Sequence, residues 1–186
     1  METEKRMSEE NFVGKWSVTD VTEALKNQDE SDIQETVTAL EQGDTAATDM
    51  LLSSPTVEGG ASTTEVEIQR SGMMLMTITQ SLQPNVPVTV GIEMTITWEL
   101  DGGTLITQAV LDQIQARGRI SPDVDLTSEQ TEEMTRQLPE IEANVVQNLK
   151  DNPQMNRVNK VKVLICGKRY FLTRADEGAL MLHERV

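Results

Sequence analysis

Along V-P-V-T-V-G-I-E-M-T-I-T-W-E-L (residues 86–100) every even position is apolar: Val86, Val88, Val90, Ile92, Met94, Ile96, Trp98 and Leu100. The odd positions are mostly polar. Strict alternation sets one apolar row on one face of a pleated strand and leaves the other face to water. Asp101-Gly102-Gly103 then carries the signal of a tight hairpin turn, and Thr104–Gln113 reads as the returning strand. With Asp101-Gly102 as the loop, Trp98 opposes Leu105; with Gly102-Gly103 the face is the same and only the partners shift.

The same pattern organises the rest of the chain. Residues 1–11 are charged and expected to fray. Phe12–Asp20 reads as a first strand with Gly14, Trp16 and Val18 on one face. From Val21 to about Leu52 the spacing changes to three and four residues, through Ala24, Leu25, Ile33, Val37 and Leu40, which predicts helix. Gly43 is placed to end one helix, and Thr45–Leu52 to form another. Residues 53–63 read as a loop. Thr64–Gln69 and Met73–Leu82 alternate again, with Met74, Met76 and Ile78 on one face. Met73 and Leu75 fall on the other, which predicts cover on both sides of that strand. Gly118–Leu126 reads as a connection. Thr127-x-x-Gln130 is a capping box opening a helix over 127–150, whose stripe is Met134, Leu138, Ile141, Val145 and Leu149. Pro139 lies inside that stripe and is expected to kink or split it. Strands at Lys160–Cys166, Arg169–Thr173 and Ala179–Glu184 close the chain.

The fold class that follows is mainly β with helical insertions near 21–52 and 127–150. About eight antiparallel strands in one domain, joined by tight turns, favour an up-and-down barrel, because closure removes exposed sheet edges. The 186 residues suffice for one core.

Charge and composition narrow the partners. A formal charge of −15, from 31 acidic and 16 basic side chains, repels phosphate backbones, so no nucleic-acid partner is expected. Lys160, Lys162, Lys168, Arg169 and Arg174 read as a solvated face balancing nearby carboxylates. No run approaches the roughly 18 apolar residues of a membrane-spanning helix. The expected compartment is the cytoplasm if Met1 is the native start, and the periplasm or cell envelope if an export signal preceded it. The single cysteine, Cys166, leaves no intramolecular disulfide and no multi-cysteine zinc site. Five aromatic residues against ten methionines leave methionine to fill much of the core.

No catalytic constellation is apparent, and no enzyme, cofactor or metal is expected. His183 is the only histidine and reads as a surface or edge residue without a nucleophile beside it. Cys166 reads as an inert thiol, although Lys168 and Arg169 nearby would tend to lower its pKa. Asp123-x-Asp125 with Glu129, Glu132 and Glu133 lacks the third ligand and glycine of a calcium loop, and helix capping is the better account. No phosphate-cradling, nucleophile-elbow or zinc-protease motif occurs.

Three stretches resemble a known family. Gly14-x-Trp16 on the first strand is similar to the G-x-W signature of lipocalins and related calycin barrels. I-T-W-E-L-D-G-G-T-L (96–105) resembles the aromatic-x-Leu-Asp-Gly hairpin of the lipocalin-like proteins of gut Bacteroidetes, and R-Y-F-L-T-R-A-D-E-G-A-L-M-L-H-E-R (169–185) their closing hairpin. The resemblance implies a lipocalin-like barrel in which Arg185 stacks on Trp16 as a structural pair at the closed end. Two departures stand out: the lipocalin disulfide is impossible, and the helical segment after the first strand is longer than a lid loop. That segment is expected near the barrel opening.

In such a barrel Met74, Met76, Ile78, Ile92, Met94 and Ile96 line the middle. One expectation is a hollow interior that binds a small apolar or amphipathic ligand. The alternative is a filled barrel acting as a protein-interaction module, its helical insertions offering Ile33, Val37 and Leu40, or Met134, Leu138 and Ile141, to a partner.

Overall fold

A computed structural model describes residues 7–52, 62–83, 86–122 and 124–186. The described strands are β1 (Gly14–Asp20), β2 (Ser62–Ile68), β3 (Met73–Gln83), β4 (Val86–Asp101), β5 (Thr104–Ala109), β6 (Gln115–Ile120), β7 (Asn159–Cys166), β8 (Tyr170–Ala175) and β9 (Leu180–Arg185). Eight of them close an antiparallel up-and-down barrel, running β1-β2-β3-β4-β5-β7-β8-β9 and back to β1. The expected barrel is present.

The β4–β5 hairpin takes the second of its two registers. Asp101 opposes Thr104 and Leu100 opposes Leu105, so Gly102-Gly103 is the loop. Both glycines have positive φ, +54° and +87°, as a type I′ turn requires of its two central residues. The even row of β4 faces inward, and Val88 through Trp98 on it are buried.

The returning strand is broken, which the alternation did not reveal. β5 stops at Ala109, a 3-10 turn occupies Leu111–Gln113, and β6 resumes pairing with the first half of β4. The stretch read as a connection from Gly118 is therefore strand as far as Ile120. Its small inward residues, Ala116 and Gly118, hid the pattern. Gly118 is cross-strand from buried Val90, and a Cβ there would sit 3.0 Å from Leu138. The glycine is what lets a helix lie against this face.

That helix is α4, which for labelling follows α1 (Thr22–Leu25), α2 (Glu30–Glu41) and α3 (Thr45–Leu52) and spans Ser128–Asp151. Its capping box forms as expected: Gln130 N donates to Thr127 Oγ1, and Thr127 N donates to Gln130 Oε1. It runs through Pro139 without splitting. Pro139 and Thr135 both face solvent, so the carbonyl deprived of its donor is on the wet side. The stripe Met134, Leu138, Ile141, Val145 and Leu149 packs half-buried against the barrel core. Glu142 accepts a hydrogen bond from Gly118 N at 2.7 Å, satisfying an edge donor of β6.

The segment at 21–52 does not sit at the barrel opening. α1–α3 pack on the outer face of β7–β9, where Leu25, Ile33, Val37 and Leu40 meet Leu164, Leu172, Leu180 and Leu182 in a second core. Asp29 caps α2, and Gly43, at φ +85°, follows its end as expected. β7–β9 are thus covered on both faces. The β3 strand is not: Leu75 on its outer face is exposed. Glu9–Asn11, expected to fray, form a 3-10 turn leading to buried Phe12.

Candidate functional site

The floor of the barrel is built around the G-x-W stretch. Trp16 is fully buried, donates from Nε1 to Phe12 O at 2.7 Å, and meets Phe171 edge-on at 4.6 Å. The Arg185 guanidinium lies 4.2 Å from the Trp16 ring centroid. It also donates to the carbonyls of Lys168, Val13 and Asn11, each at 3.0 Å. Each of its three nitrogens donates to a backbone carbonyl, so the guanidinium is a structural cross-link.

Above this floor the interior is hollow. A cavity of about 500 Å³ lies between the walls, within the range of about 300–1,000 Å³ usual for small-molecule sites. Of the six residues the pattern placed there, Met74, Met76, Ile78 and Ile96 line it. Ile92 and Met94 share their face of β4 but are packed into the core beyond the cavity. Both Trp98 and Trp16 are buried without lining it; Trp98 Nε1 instead donates to Gln69 O. A smaller hollow of about 160 Å³ beside Lys15, Glu65, Glu67 and Leu75 has a charged rim and no comparable apolar lining.

The opposite wall of the cavity was not legible. It comes from the inward rows of β8 and β9, Phe171, Thr173, Met181 and His183. Leu180 and Leu182 of β9 are buried under the outer helices. Met181 and His183, which alternate with them, therefore face the barrel. His183 pairs across strands with Val18 and Phe171, which fixes it on the inward face rather than at a surface edge.

His183 is the unusual group in this wall. Its ring stacks on Phe171, centroids 3.9 Å apart and planes 10° from parallel. Nδ1 is sealed from solvent and from the cavity and makes no hydrogen bond of good geometry, although the carbonyls of Met181 and Phe171 lie close to the imidazole. Burial pushes the imidazole pKa down to about 4, against the backbone carbonyls of Met181 and Phe171, which favour the proton. At neutral pH the ring is uncharged. Asp20, Ser62, Thr64, Thr107 and Thr173 add polar atoms to an otherwise mainly apolar lining.

The remaining candidates are placed elsewhere. Burial raises the Cys166 thiol to about 11, outweighing the lowering effect of Arg185. Lys162 and Arg174, from the basic stretch, both reach Glu30 of α2, at 3.0 and 3.1 Å. Those two cations hold the Glu30 carboxyl below its ordinary value, the Lys162 hydrogen bond most of all. Asp123 lies outside the described residues. No group of three or more His, Cys, Asp or Glu side chains among the described residues is arranged to hold a metal ion. No described helix is long and apolar enough to cross a membrane. No protein-family model matches this sequence, and no curated protein matches it.

Proposed function

We propose that this protein is a non-catalytic, lipocalin-like barrel that binds one small apolar or amphipathic molecule inside the wall. The observation that carries the reading is the 500 Å³ interior cavity, lined mainly by Met74, Met76, Ile78, Ile96 and other apolar side chains. A packed core leaves few voids larger than a water molecule, so a hollow of this size departs from what folding alone selects. Each Å² of apolar ligand surface removed from water contributes roughly 25 cal/mol before ordering costs. Methionine suits such a wall, since its flexible thioether adapts to ligands of varied outline.

The partner-module reading has less support. Ile33, Val37 and Leu40 are buried against the barrel, and the stripe of α4 is packed on its core. Neither insertion presents a bare apolar face.

The test is binding of Nile red, an uncharged dye that brightens in apolar surroundings, together with native mass spectrometry of the protein as purified. The expected result is saturable one-to-one binding, abolished by Met76→Trp, which fills the cavity from β3. A flat dye titration with no co-purified mass overturns the reading.

A further inference from the structure

The cavity carries charge of one sign, and carries it at the rim. Trp16, Val18 and Asp20 alternate along β1, and Asp20, the last residue of that strand, is exposed while lining the cavity. Across strands Asp20 opposes Met181, and Met181 opposes Thr173 of β8. On the other side Val18 opposes Thr64, so the register carries Asp20 towards Ser62, the first residue of β2. One carboxylate is thus set among the hydroxyls of Ser62 and Thr173, and all three line the cavity. Further in, Thr64, Val66 and Ile68 oppose Ile78, Met76 and Met74, so this wall turns apolar with depth.

No cation of the chain answers this carboxylate. Among the described residues the lining holds no lysine or arginine, and no salt bridge reaches Asp20. Lys162 and Arg174 of the neighbouring wall reach outward to Glu30, and Arg185 is committed to three carbonyls. Asp20 has one local duty: Oδ1 accepts from Thr22 N at 2.9 Å, at the start of α1. That occupies one of the several acceptor sites of a carboxylate, and among the described residues Oδ2 makes no hydrogen bond. An anionic head group entering here meets a like charge and, behind it, a net charge of −15. A cationic one meets its counter-ion, and at an exposed rim it keeps part of its hydration, which spares it the cost of deep burial.

Resting on the interior-binding reading above, we propose that the ligand is a cationic amphiphile, its ammonium group held at the rim by the Asp20 carboxylate and its apolar body descending along Ile78, Met76 and Met74. Ser62 and Thr173 offer hydroxyl oxygens that accept from the remaining ammonium N–H groups. Long-chain amines have the required chemistry; ionised fatty acids do not. An exposed ion pair contributes little by itself, so apolar burial supplies most of the affinity and Asp20 the preference among head groups.

The test is displacement of Nile red at pH 7 by three probes of one chain length, decylammonium, 1-decanol and decanoate, each below its micelle concentration. The expected order is decylammonium first, by about threefold over decanol as an exposed ion pair allows, and decanoate last. Asp20→Asn keeps an oxygen for Thr22 N and removes the charge. It should abolish the advantage of decylammonium, leave decanol unchanged and improve decanoate. The control is Glu99→Gln, which removes a charge from an exposed position of β4 near the β4–β5 turn, outside the cavity lining. It should change none of the three. Decanoate binding as tightly as decylammonium overturns the proposal while the interior reading stands. So does a decylammonium advantage that survives Asp20→Asn, or one that falls equally in Glu99→Gln, which would assign it to the overall field. If Asp20→Asn fails to fold, the order of the three probes on the wild-type protein decides alone. Failure of Nile red and all three probes to bind removes the interior reading itself, and this proposal with it.

Discussion

A Cβ added to Gly14 would lie 2.6 Å from Arg185 Nη1. The glycine of the G-x-W stretch is therefore the space in which the guanidinium sits while it covers Trp16. Its φ of +137° independently favours glycine. Gly14→Ala is expected to destabilise the fold by about 1–3 kcal/mol through strain and displacement of the guanidinium. Arg185→Lys keeps the charge but cannot reach three carbonyls at once, and should cost about 1–2 kcal/mol. Urea unfolding of both variants measures this. A lysine variant as stable as wild type would show that the fork geometry contributes nothing.

The β7–β8 turn is held from outside by α2. The Glu41 carboxylate accepts from the backbone nitrogens of Lys168 (3.0 Å), Arg169 (2.9 Å) and Tyr170 (3.0 Å). A Cβ on Gly167 would meet Glu41 Oε2 at 2.7 Å, so the turn needs glycine for the carboxylate to approach. Glu41→Ala leaves these donors to water and should lower stability by about 1.5–3 kcal/mol, the range for hydrogen bonds to a charged group. For a chain of this size that is a fall of roughly 2–4 °C in Tm per kcal/mol. Glu41→Gln should lie between the two, and an unchanged Tm for Glu41→Ala would remove the clamp from the account.

The parts of this fold that the sequence made legible are those with one wet face. β4 shows the alternation from Val88 to Trp98 because its even side chains meet the core and its odd ones, apart from buried Thr95, are at least partly open to solvent. α4 shows its stripe for the same reason. β7–β9 carry apolar residues on both faces, as at Val163 and Leu164 or Phe171 and Leu172, so period-2 reading has no contrast to work with. That is why half of the cavity wall was missed: the helices that would have explained the outer row are distant in sequence. β6 was missed for a different reason, since Ala116 and Gly118 are small where α4 needs room.

Cys166 should behave as a buried thiol in spite of Lys168 and Arg169 close by in sequence. With its pKa raised from 9.0 to about 11, the thiolate fraction near pH 8 falls about a hundredfold. A disulfide reagent such as DTNB is therefore expected to react about a hundred times more slowly with the folded protein than with the chain in denaturant. Comparable rates would show that the thiol is open to solvent.

His183 also predicts how stability depends on pH. The imidazole titrates at about 4 in the folded protein against an ordinary value of 6.5. Above about pH 6.5 the ring is neutral in both states. As pH falls from there towards 4, the unfolded chain takes up a proton that the folded barrel refuses, so stability declines; below 4 both bind it and the loss levels off. The shift corresponds to about 3 kcal/mol. Carboxylates such as Glu30, held low by Lys162 and Arg174, contribute stability above the ordinary carboxylate range that is lost as pH drops below it, a decline of the same sign. The measurement is therefore a difference: the unfolding free energy of wild type minus that of His183→Phe, followed from pH 7 to pH 4. It is expected to fall by about 3 kcal/mol across that window. A difference that stays constant would mean that the ring is already wet in the folded barrel, through an interior filled with water at the depth of Phe171.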